Sequence, residues 1–156
     1  MRIKMEVSCV MKVLMGLDDS AHADTTLEFV RRLSWPADTD VVVCSAIQLP
    51  LITSASSESN LPVAMDPSGW LAELTKLHEG VVSRAARKLA DAGLRTQVRV
   101  LQGDPREALI EEVRKEGADL LVVGSHGRTG LEKLLMGSVA SHVVTHAPCS
   151  VLVVRR

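Results

Sequence analysis

Glycine and serine residues of the kind that bind anions follow one apolar segment near the end of the chain. Two residues separate Gly124 from Gly127, and nine separate Gly127 from Gly137 and the adjoining Ser138. Glycine lets backbone N–H groups approach a ligand without a Cβ in the way. A helix that begins near Ser138 would direct free N–H groups and its dipole at an anion, and the serine hydroxyl could bind a phosphate oxygen. The spacing predicts an anion site and, at the end of a strand, a site for nucleotide phosphate.

Two further side chains of the same turn, Arg128 and His126, could contact the bound anion. Arg128 would act as a counter-charge, while His126 fits a ligand contact and an exposed turn residue equally well. The alternative for the whole segment is that its glycines only form tight turns and cap a helix. Four glycines and a serine after one strand favour the anion site over that alternative. The segment contains neither Gly-Lys-Ser/Thr nor GxGxxG, which disfavours a P-loop ATPase and a dinucleotide-dependent dehydrogenase.

Other residue pairs could do chemistry elsewhere in the chain. His142 and His146 lie four residues apart with Cys149 nearby, which is a spacing that metal ligands use. Without an HExxH motif, the two histidines fit ordinary positions in the last turns of a helix better. Asp18 and Asp19 are adjacent carboxylates, and capping of a helix explains one of them. The chain has no GxSxG motif, so nucleophilic catalysis has little support.

Apolar strands that alternate with amphipathic helices would position these residues. The strands are predicted at 10–17, Asp40–Ile47, 96–101, 120–123 and 151–154. The helices are predicted to follow Ser20, Asp66-Pro67, Asp104-Pro105 and Gly137. Strands that are apolar throughout require a parallel sheet covered on both faces. The sequence therefore predicts an α/β fold with an open five-stranded parallel sheet and helices on both faces, while the order of the strands cannot be derived from the sequence alone.

Local signals predict how these helices begin and which faces they bury. Ser20 or a preceding aspartate would cap the first helix, and Asp104 with Glu107 forms a capping-box arrangement. The connection 48–65 is rich in serine and proline and is predicted to be either a functional lid or disordered. The helix after it has an apolar face with spacings of three or four, formed by Trp70, Leu74, Leu77, Val81, Ala85 and Leu89.

Size, composition and charge restrict the class of protein. A chain of 156 residues with 46% hydrophobic and 24% charged residues is typical of one globular domain. The formal net charge of −1 provides no general attraction to nucleic acid or anionic lipid. The sequence contains no apolar run of the length of a membrane span, and three widely spaced cysteines without a CxxC motif fit a reducing compartment. We therefore expect a cytoplasmic protein. Met11-Lys12-Val13 fits a chain start equally well, so residues 1–10 are expected to be a dispensable extension and 11–156 to form the domain.

The spacing of the glycines and Ser138 resembles the nucleotide-binding signature of the universal stress protein (UspA-like) family, in its ATP-binding branch. The resemblance covers almost the whole chain, because it extends to the segments 17–20, 100–105 and 146–154. It implies a Rossmann-like sheet with the strand order 3-2-1-4-5. It also implies that ATP lies across the ends of the first and fourth strands.

Roles for individual residues follow from the same resemblance. Asp18 would lie at the adenosine end of the site, and the backbone near Ala46 would bind the edge of adenine. Asp19 departs from the small residue that is usual at its position, which affects the local turn and the role of Asp18. The ribose and phosphates, with magnesium or manganese on the phosphates, would be held by Gly124, Gly127, Gly137 and Ser138.

The function that these residues indicate is an ATP-binding regulatory or stress-response module with an unknown protein partner. Hydrolysis would be slow at most, because no strong base for water is evident, so we do not expect more than a weak ATPase. The alternatives are a nucleotide-free dimeric scaffold with a structural glycine loop and a slow ATPase or kinase-like enzyme. In the implied strand order the last strand lies at an edge, and the resemblance implies a homodimer through its residues Val151, Leu152, Val153 and Val154.

Overall fold

The computed structural model describes residues 10–48, 67–127 and 136–155. Strands and helices alternate in this part of the chain as predicted. The elements are β1 (Lys12–Gly16), α1 (Ala21–Arg32), β2 (Asp40–Ile47), α2 (Pro67–Asp91), β3 (Arg95–Gln102), α3 (Pro105–Glu116), β4 (Leu120–Gly124), α4 (Ser138–His146) and β5 (Ser150–Val154). None of the helices described is long and apolar enough to cross a membrane. Apart from Gln48, the predicted lid or disordered connection 48–65 lies outside the described residues.

The five strands form one sheet in which every neighbouring pair is parallel. Their order is β3-β2-β1-β4-β5, which confirms the predicted fold class and the strand order that the family resemblance implied. β1 lies at the centre between β2 and β4, while β3 and β5 form the two edges. The segments that follow β1 and β4 therefore begin side by side at the carboxyl edge of the sheet.

Side chains of alternate strand residues pack into two cores, one on each face of the sheet. Val13 and Met15 of β1 pack on the face covered by α1 and α2, and Leu14 packs on the face covered by α3 and α4. All three side chains are completely buried. The central strands are apolar on both faces, which explains why their sequences are continuous apolar runs and not alternating patterns.

The starts of α1 and α3 differ in part from the predicted capping. Ser20 occupies the N-cap position of α1, but its hydroxyl donates to Asp18 Oδ1 at 2.5 Å and caps no N–H group of the helix. Asp104 caps α3 as predicted, because its carboxylate accepts from Arg106 N–H at 2.9 Å. The predicted capping box is wrong in its second half, since the Glu107 carboxylate lies 3.0 Å from Nε2 of His142 and not on the N-cap.

The buried face of α2 is also displaced from the predicted one. Leu77 is 46% exposed, whereas the adjacent His78 is only 4% exposed. Both residues precede Val81 by a spacing that a helix face allows, four residues for Leu77 and three for His78, so periodicity did not separate them. The prediction that Leu77 belongs to the core is wrong, and α2 buries a histidine next to the carboxyl ends of β1 and β2.

Candidate functional site

A cleft of about 410 Å³ opens at the carboxyl ends of β1, β2 and β4. The chain leaves β1 for a helix on one face of the sheet and leaves β4 for a helix on the other face. Open parallel sheets form a crevice at such a reversal of strand order. Arg128 lies outside the described residues. The other residues proposed from the sequence all line the cleft, namely Asp18, Ala46, Gly124, His126, Gly127, Gly137 and Ser138.

Gly124, Gly127 and Gly137 lie where a side chain would crowd its neighbours in the cleft wall. A Cβ at Gly127 would lie 2.8 Å from Oδ2 of Asp18, and a Cβ at Gly137 would lie 3.1 Å from the carbonyl oxygen of Ser125. A Cβ at Gly124 would lie 3.0 Å from Oγ1 of Thr26. The glycines with positive φ in the described part of the chain are elsewhere. The absence of a side chain, and not a left-handed backbone, is therefore what these three positions contribute.

The first turn of α4 directs backbone N–H groups into the cleft. Gly137 is the N-cap, its N–H donates to Ser125 O at 2.8 Å, and no side chain caps the helix. The first intrahelical N–H bond described is that of Ser141, which donates to Gly137 O. The three residues between them, Ser138 to Ala140, all line the cleft. Uncapped N–H groups together with the helix dipole make this end of the cleft favourable for an anion.

The Asp18 side chain lies between the end of β1 and Gly127, in the segment that follows β4. Its Oδ1 accepts from the N–H of Ser20 at 3.1 Å as well as from the Ser20 hydroxyl. Its Oδ2 lies on the side of Gly127, as the short distance to a Cβ there shows. The carboxylate is thus held in one orientation at the wall between the β1 and β4 segments.

Ser45 and His78 form a buried polar contact beside the cleft that the sequence analysis did not identify. The Ser45 hydroxyl donates to Leu17 O at 2.7 Å and lies 2.7 Å from Nδ1 of His78. Because a carbonyl oxygen can only accept, the hydroxyl proton lies toward Leu17 and the imidazole Nδ1–H donates to Ser45. His78 lines the cleft, and its placement three residues before Val81 was the signal in the sequence.

Asp104 and Arg106 contribute the charges at the β3 side of the cleft. The guanidinium donates from Nε and Nη2 to the carboxylate, with Nε 3.0 Å from Oδ1 and 3.1 Å from Oδ2. Hydrogen bonds from this guanidinium and from the Arg106 N–H lower the pKa of Asp104 to about 2, so the carboxylate is ionised at neutral pH. Arg106 was not identified from the sequence, because only the fold brings the start of α3 to the cleft.

The Cys44 thiol is buried in the core, and the two histidines of α4 contact each other. Burial raises the pKa of Cys44 to about 12, so the thiol is protonated at neutral pH and unreactive. His142 and His146 stack with ring centroids 4.2 Å apart, and Nδ1 of His146 lies 2.9 Å from the His142 carbonyl oxygen. Among the residues that the structure describes, no three His, Cys, Asp or Glu side chains form a group that could hold a metal ion.

Comparison with known sequences gives one consistent result. The model of the universal stress protein family matches residues 10–155. Universal stress protein MJ0531 of Methanocaldococcus jannaschii is 38% identical over 87 residues, which are 55% of this chain and 51% of that protein. The aligned part therefore spans about half the length of that relative. Universal stress protein YxiE of Bacillus subtilis is 25% identical over 148 residues, with 92% of this chain and 98% of that protein covered.

Solved structures show the same similarity in three dimensions. The structure of MJ0577 from Methanocaldococcus jannaschii has a TM-score of 0.78 and 26% identity, covering 94% of this chain and 96% of that one. An Arabidopsis thaliana family protein with AMP bound has a TM-score of 0.64 and 19% identity, with coverages of 94% and 91%. The Archaeoglobus fulgidus universal stress protein in complex with dAMP has a TM-score of 0.64 and 17% identity, with coverages of 92% and 96%. The last two similarities are evidence of a shared fold. With the family match over nearly the entire chain, these findings show that the chain belongs to the universal stress protein family.

Proposed function

We propose that the protein binds ATP in this cleft and acts as a nucleotide-dependent regulatory module of a stress response. The observation that carries the proposal is the first turn of α4, whose N–H groups reach the cleft without a side-chain cap. The three glycines beside this turn allow close packing of the cleft wall, because a Cβ at each would lie within 3.1 Å of a neighbouring protein atom. The relatives with AMP and dAMP bound support an adenine nucleotide as the ligand.

The phosphates would lie between the glycine turn and α4, on the N–H groups from Ser138 to Ala140 and on the Ser138 hydroxyl. Helix N-termini of this kind are common phosphate sites. His126 lines the same end of the cleft, and Arg128, which follows Gly127 in the chain, would add a counter-charge. A magnesium or manganese ion would be held mainly by phosphate oxygens, which is the usual mode for magnesium with nucleotides.

The adenine edge would bind to the backbone of Ala46, where β2 extends beyond the end of β1. The ladder between these strands ends at Gly16 and Cys44, and Leu17 N–H then donates to Cys44 O at 2.8 Å. Backbone groups two residues apart in a strand point the same way, so the N–H and C=O of Ala46 also face the β1 side. They meet the cleft there, next to the buried strand ends. One donor beside one acceptor complements the ring nitrogen and the amino group of adenine.

The ribose would lie near Asp18, between the base and the phosphates. Its carboxylate is held by Ser20 and faces Gly127, so it needs little rearrangement to accept hydrogen bonds from ribose hydroxyls. Such preorganisation favours binding because fewer side chains lose freedom when the ligand arrives. Asp19, which follows it in place of a small residue, lines a smaller neighbouring pocket between α1 and α2.

A regulatory role, and not rapid catalysis, is the activity that we propose for the nucleotide-bound protein. Rapid hydrolysis requires a base that positions water and charges that stabilise the leaving phosphates. The carboxylates that line the cleft in the described part of the chain are Asp18, bound to Ser20, and Asp104, bound to Arg106. We therefore expect turnover far below about 1 s⁻¹, and we expect a protein partner to sense the bound nucleotide.

A cytoplasmic homodimer is the second part of the proposal. β5 is an edge strand, and its residues Val151 to Val153 are only half-buried in the single chain. An exposed apolar edge is a hazard for aggregation unless another strand pairs with it. A second copy of the chain that pairs through β5 would form the symmetric contact that is most frequent in homodimers.

The binding experiment uses the purified protein and two matched glycine variants. The protein is heated, and the supernatant is analysed for released adenine nucleotide; the nucleotide-free protein is then titrated with ATP and magnesium by calorimetry. Gly127→Val should weaken ATP binding by at least about tenfold, or about 1.4 kcal/mol. The physical reason is that its Cβ would lie 2.8 Å from Oδ2 of Asp18 and would displace this carboxylate from its place beside the proposed ribose.

Gly80→Val is the control for the same chemical change. No atom lies within 4 Å of a Cβ at Gly80 on α2, so this variant should bind ATP like the unmodified protein. ATP binding that is equal in both variants would contradict the assignment of the site. A protein that releases no nucleotide and shows no heat with ATP would contradict the proposed function.

A further inference from the structure

The start of α3 places the guanidinium of Arg106 and the carboxylate of Asp104 at the cleft wall. The ionisable carboxyl, imidazole and guanidinium side chains that line the cleft in the described part of the chain are this pair, Asp18, His78 and His126. Arg106 is thus the one permanent cation among them. Its side chain is 48% exposed, so a ligand can reach the guanidinium even while the salt bridge with Asp104 is formed.

The first turn of α3 lies beside the first half of α4. Leu109 of α3 and Ala140 of α4 belong to the same buried cluster, and Oε1 of Glu107 lies 3.0 Å from Nε2 of His142. Arg106 is therefore one residue from a contact with the helix whose N-terminus would bind the phosphates. Pro105 and Leu109 line the same cleft as Ser138 and Ala140.

The bond between Arg106 and Asp104 can be released without disturbing the helix. Asp104 caps α3 through the backbone N–H of Arg106, and that bond is independent of the guanidinium. Ion pairs between exposed side chains contribute little to stability. A guanidinium forms bidentate hydrogen bonds with a phosphate as it does with a carboxylate. A polyphosphate carries more negative charge than one carboxylate.

We propose that Arg106 is a phosphate-binding residue. Without a ligand its guanidinium is paired with the Asp104 carboxylate, and it moves to the terminal phosphates when a nucleoside triphosphate enters the cleft. The inference rests on the proposed function, because it assumes that the cleft binds an adenine nucleotide. It adds a specificity: the exchange favours ligands with two or three phosphates over a monophosphate, whose single phosphate is already bound by the N–H groups of α4.

The test is a set of calorimetric titrations with ATP, ADP and AMP at constant ionic strength and magnesium concentration. Arg106→Gln should weaken ATP binding about tenfold and leave AMP binding within about twofold. Asp104→Asn keeps an oxygen to cap α3 but removes the charge that holds the guanidinium, so it should strengthen ATP binding several-fold. In the double variant this gain should disappear, because no guanidinium remains to be released.

Two controls separate the exchange from general charge effects. Arg114→Gln and Glu111→Gln make the same charge changes at exposed positions of α3 that do not line the cleft, and each should leave ATP binding within about twofold. If the pair served only to hold the helix, Asp104→Asn and Arg106→Gln would weaken ATP binding together and would weaken AMP binding equally.

Each remaining outcome also decides the question. A gain from Asp104→Asn that persists in the double variant, or an Arg106→Gln variant that binds ATP like the unmodified protein, overturns the inference and leaves the proposed function standing. An unmodified protein that binds none of the three nucleotides overturns both. Loss of ATP binding in Arg106→Gln with AMP binding retained, and a gain in Asp104→Asn that requires Arg106, supports the inference.

Discussion

At the scale of single residues, Ser45 and His78 form a buried polar contact that holds the end of β1 beside the cleft. Ser45 is 1% exposed, and buried polar groups in proteins almost always have partners. Its hydroxyl serves both the carbonyl oxygen of Leu17 and the imidazole of His78. Leu17 directly precedes Asp18. The contact therefore fixes the end of β1 at the point where the proposed ribose contact begins.

Removal of the Ser45 hydroxyl should destabilise the fold. Ser45→Ala leaves the Leu17 carbonyl and the His78 Nδ1–H without this partner, and a buried group that loses its partner costs about 1–3 kcal/mol. Urea denaturation followed by circular dichroism measures the change in the free energy of unfolding. Ser83→Ala, at an exposed position of α2, should change it by less than about 0.5 kcal/mol. A Ser45→Ala variant as stable as Ser83→Ala would show that the hydroxyl is not required.

At the scale of elements, the extension of β2 beyond the end of β1 would set the base preference of the proposed nucleotide complex. The N–H and C=O groups of Ala46 face a space that β1 no longer fills. Adenine has an amino donor where guanine has a carbonyl acceptor. Guanine would therefore set its carbonyl against a backbone carbonyl and leave buried groups unpaired.

ATP should bind at least about tenfold more tightly than GTP, which corresponds to about 1.4 kcal/mol. Competition titrations of the nucleotide-free protein against a fluorescent ATP analogue measure both affinities under one condition. Inosine triphosphate, which also has a carbonyl in place of the amino group, should resemble GTP. Equal affinities for ATP and GTP would contradict the assignment of the adenine edge to Ala46.

The edge strands give a matched test of the proposed dimer. Ser125 N–H donates to Val154 O, so Val154 faces β4 and Val153 directs its N–H to the free side of β5. Gly103 N–H donates to Ile47 O, and by the same alternation Val98 directs its N–H away from β2 at the other edge. Proline removes an N–H group and is tolerated on an edge strand when that group faces outward.

Val153→Pro should therefore convert a dimer to a monomer, while Val98→Pro should remain a dimer. Sedimentation velocity at several protein concentrations gives the oligomeric state, and circular dichroism reports whether each variant is folded. Two dimeric variants would place the interface away from the β5 edge. An unmodified protein that is monomeric throughout would contradict the dimer itself.

At the scale of the whole molecule, local sequence patterns predicted the fold more completely than they predicted the residues of the site. The apolar runs of β1 and β4 predict strands buried on both faces, and the glycine spacing predicts an anion site at the end of β4, where the cleft lies. Ser45 and His78 are 33 positions apart in the sequence. The alternation of strands and helices does not specify which side chains of β2 and α2 meet. His78 and Leu77 differ by one position, or about 100° around the helix, and only the packed sheet selects the histidine.

The two cores on opposite faces of the sheet have a consequence for the whole molecule. Residues that line the cleft come from both helical layers, with Thr26 and His78 from one and Leu109 and Ala140 from the other. An occupant of the cleft would act as a non-covalent cross-link between layers that the sheet otherwise separates. Local opening of either layer would then require release of the ligand, so amide exchange should slow in α1 and α3 together when the nucleotide binds.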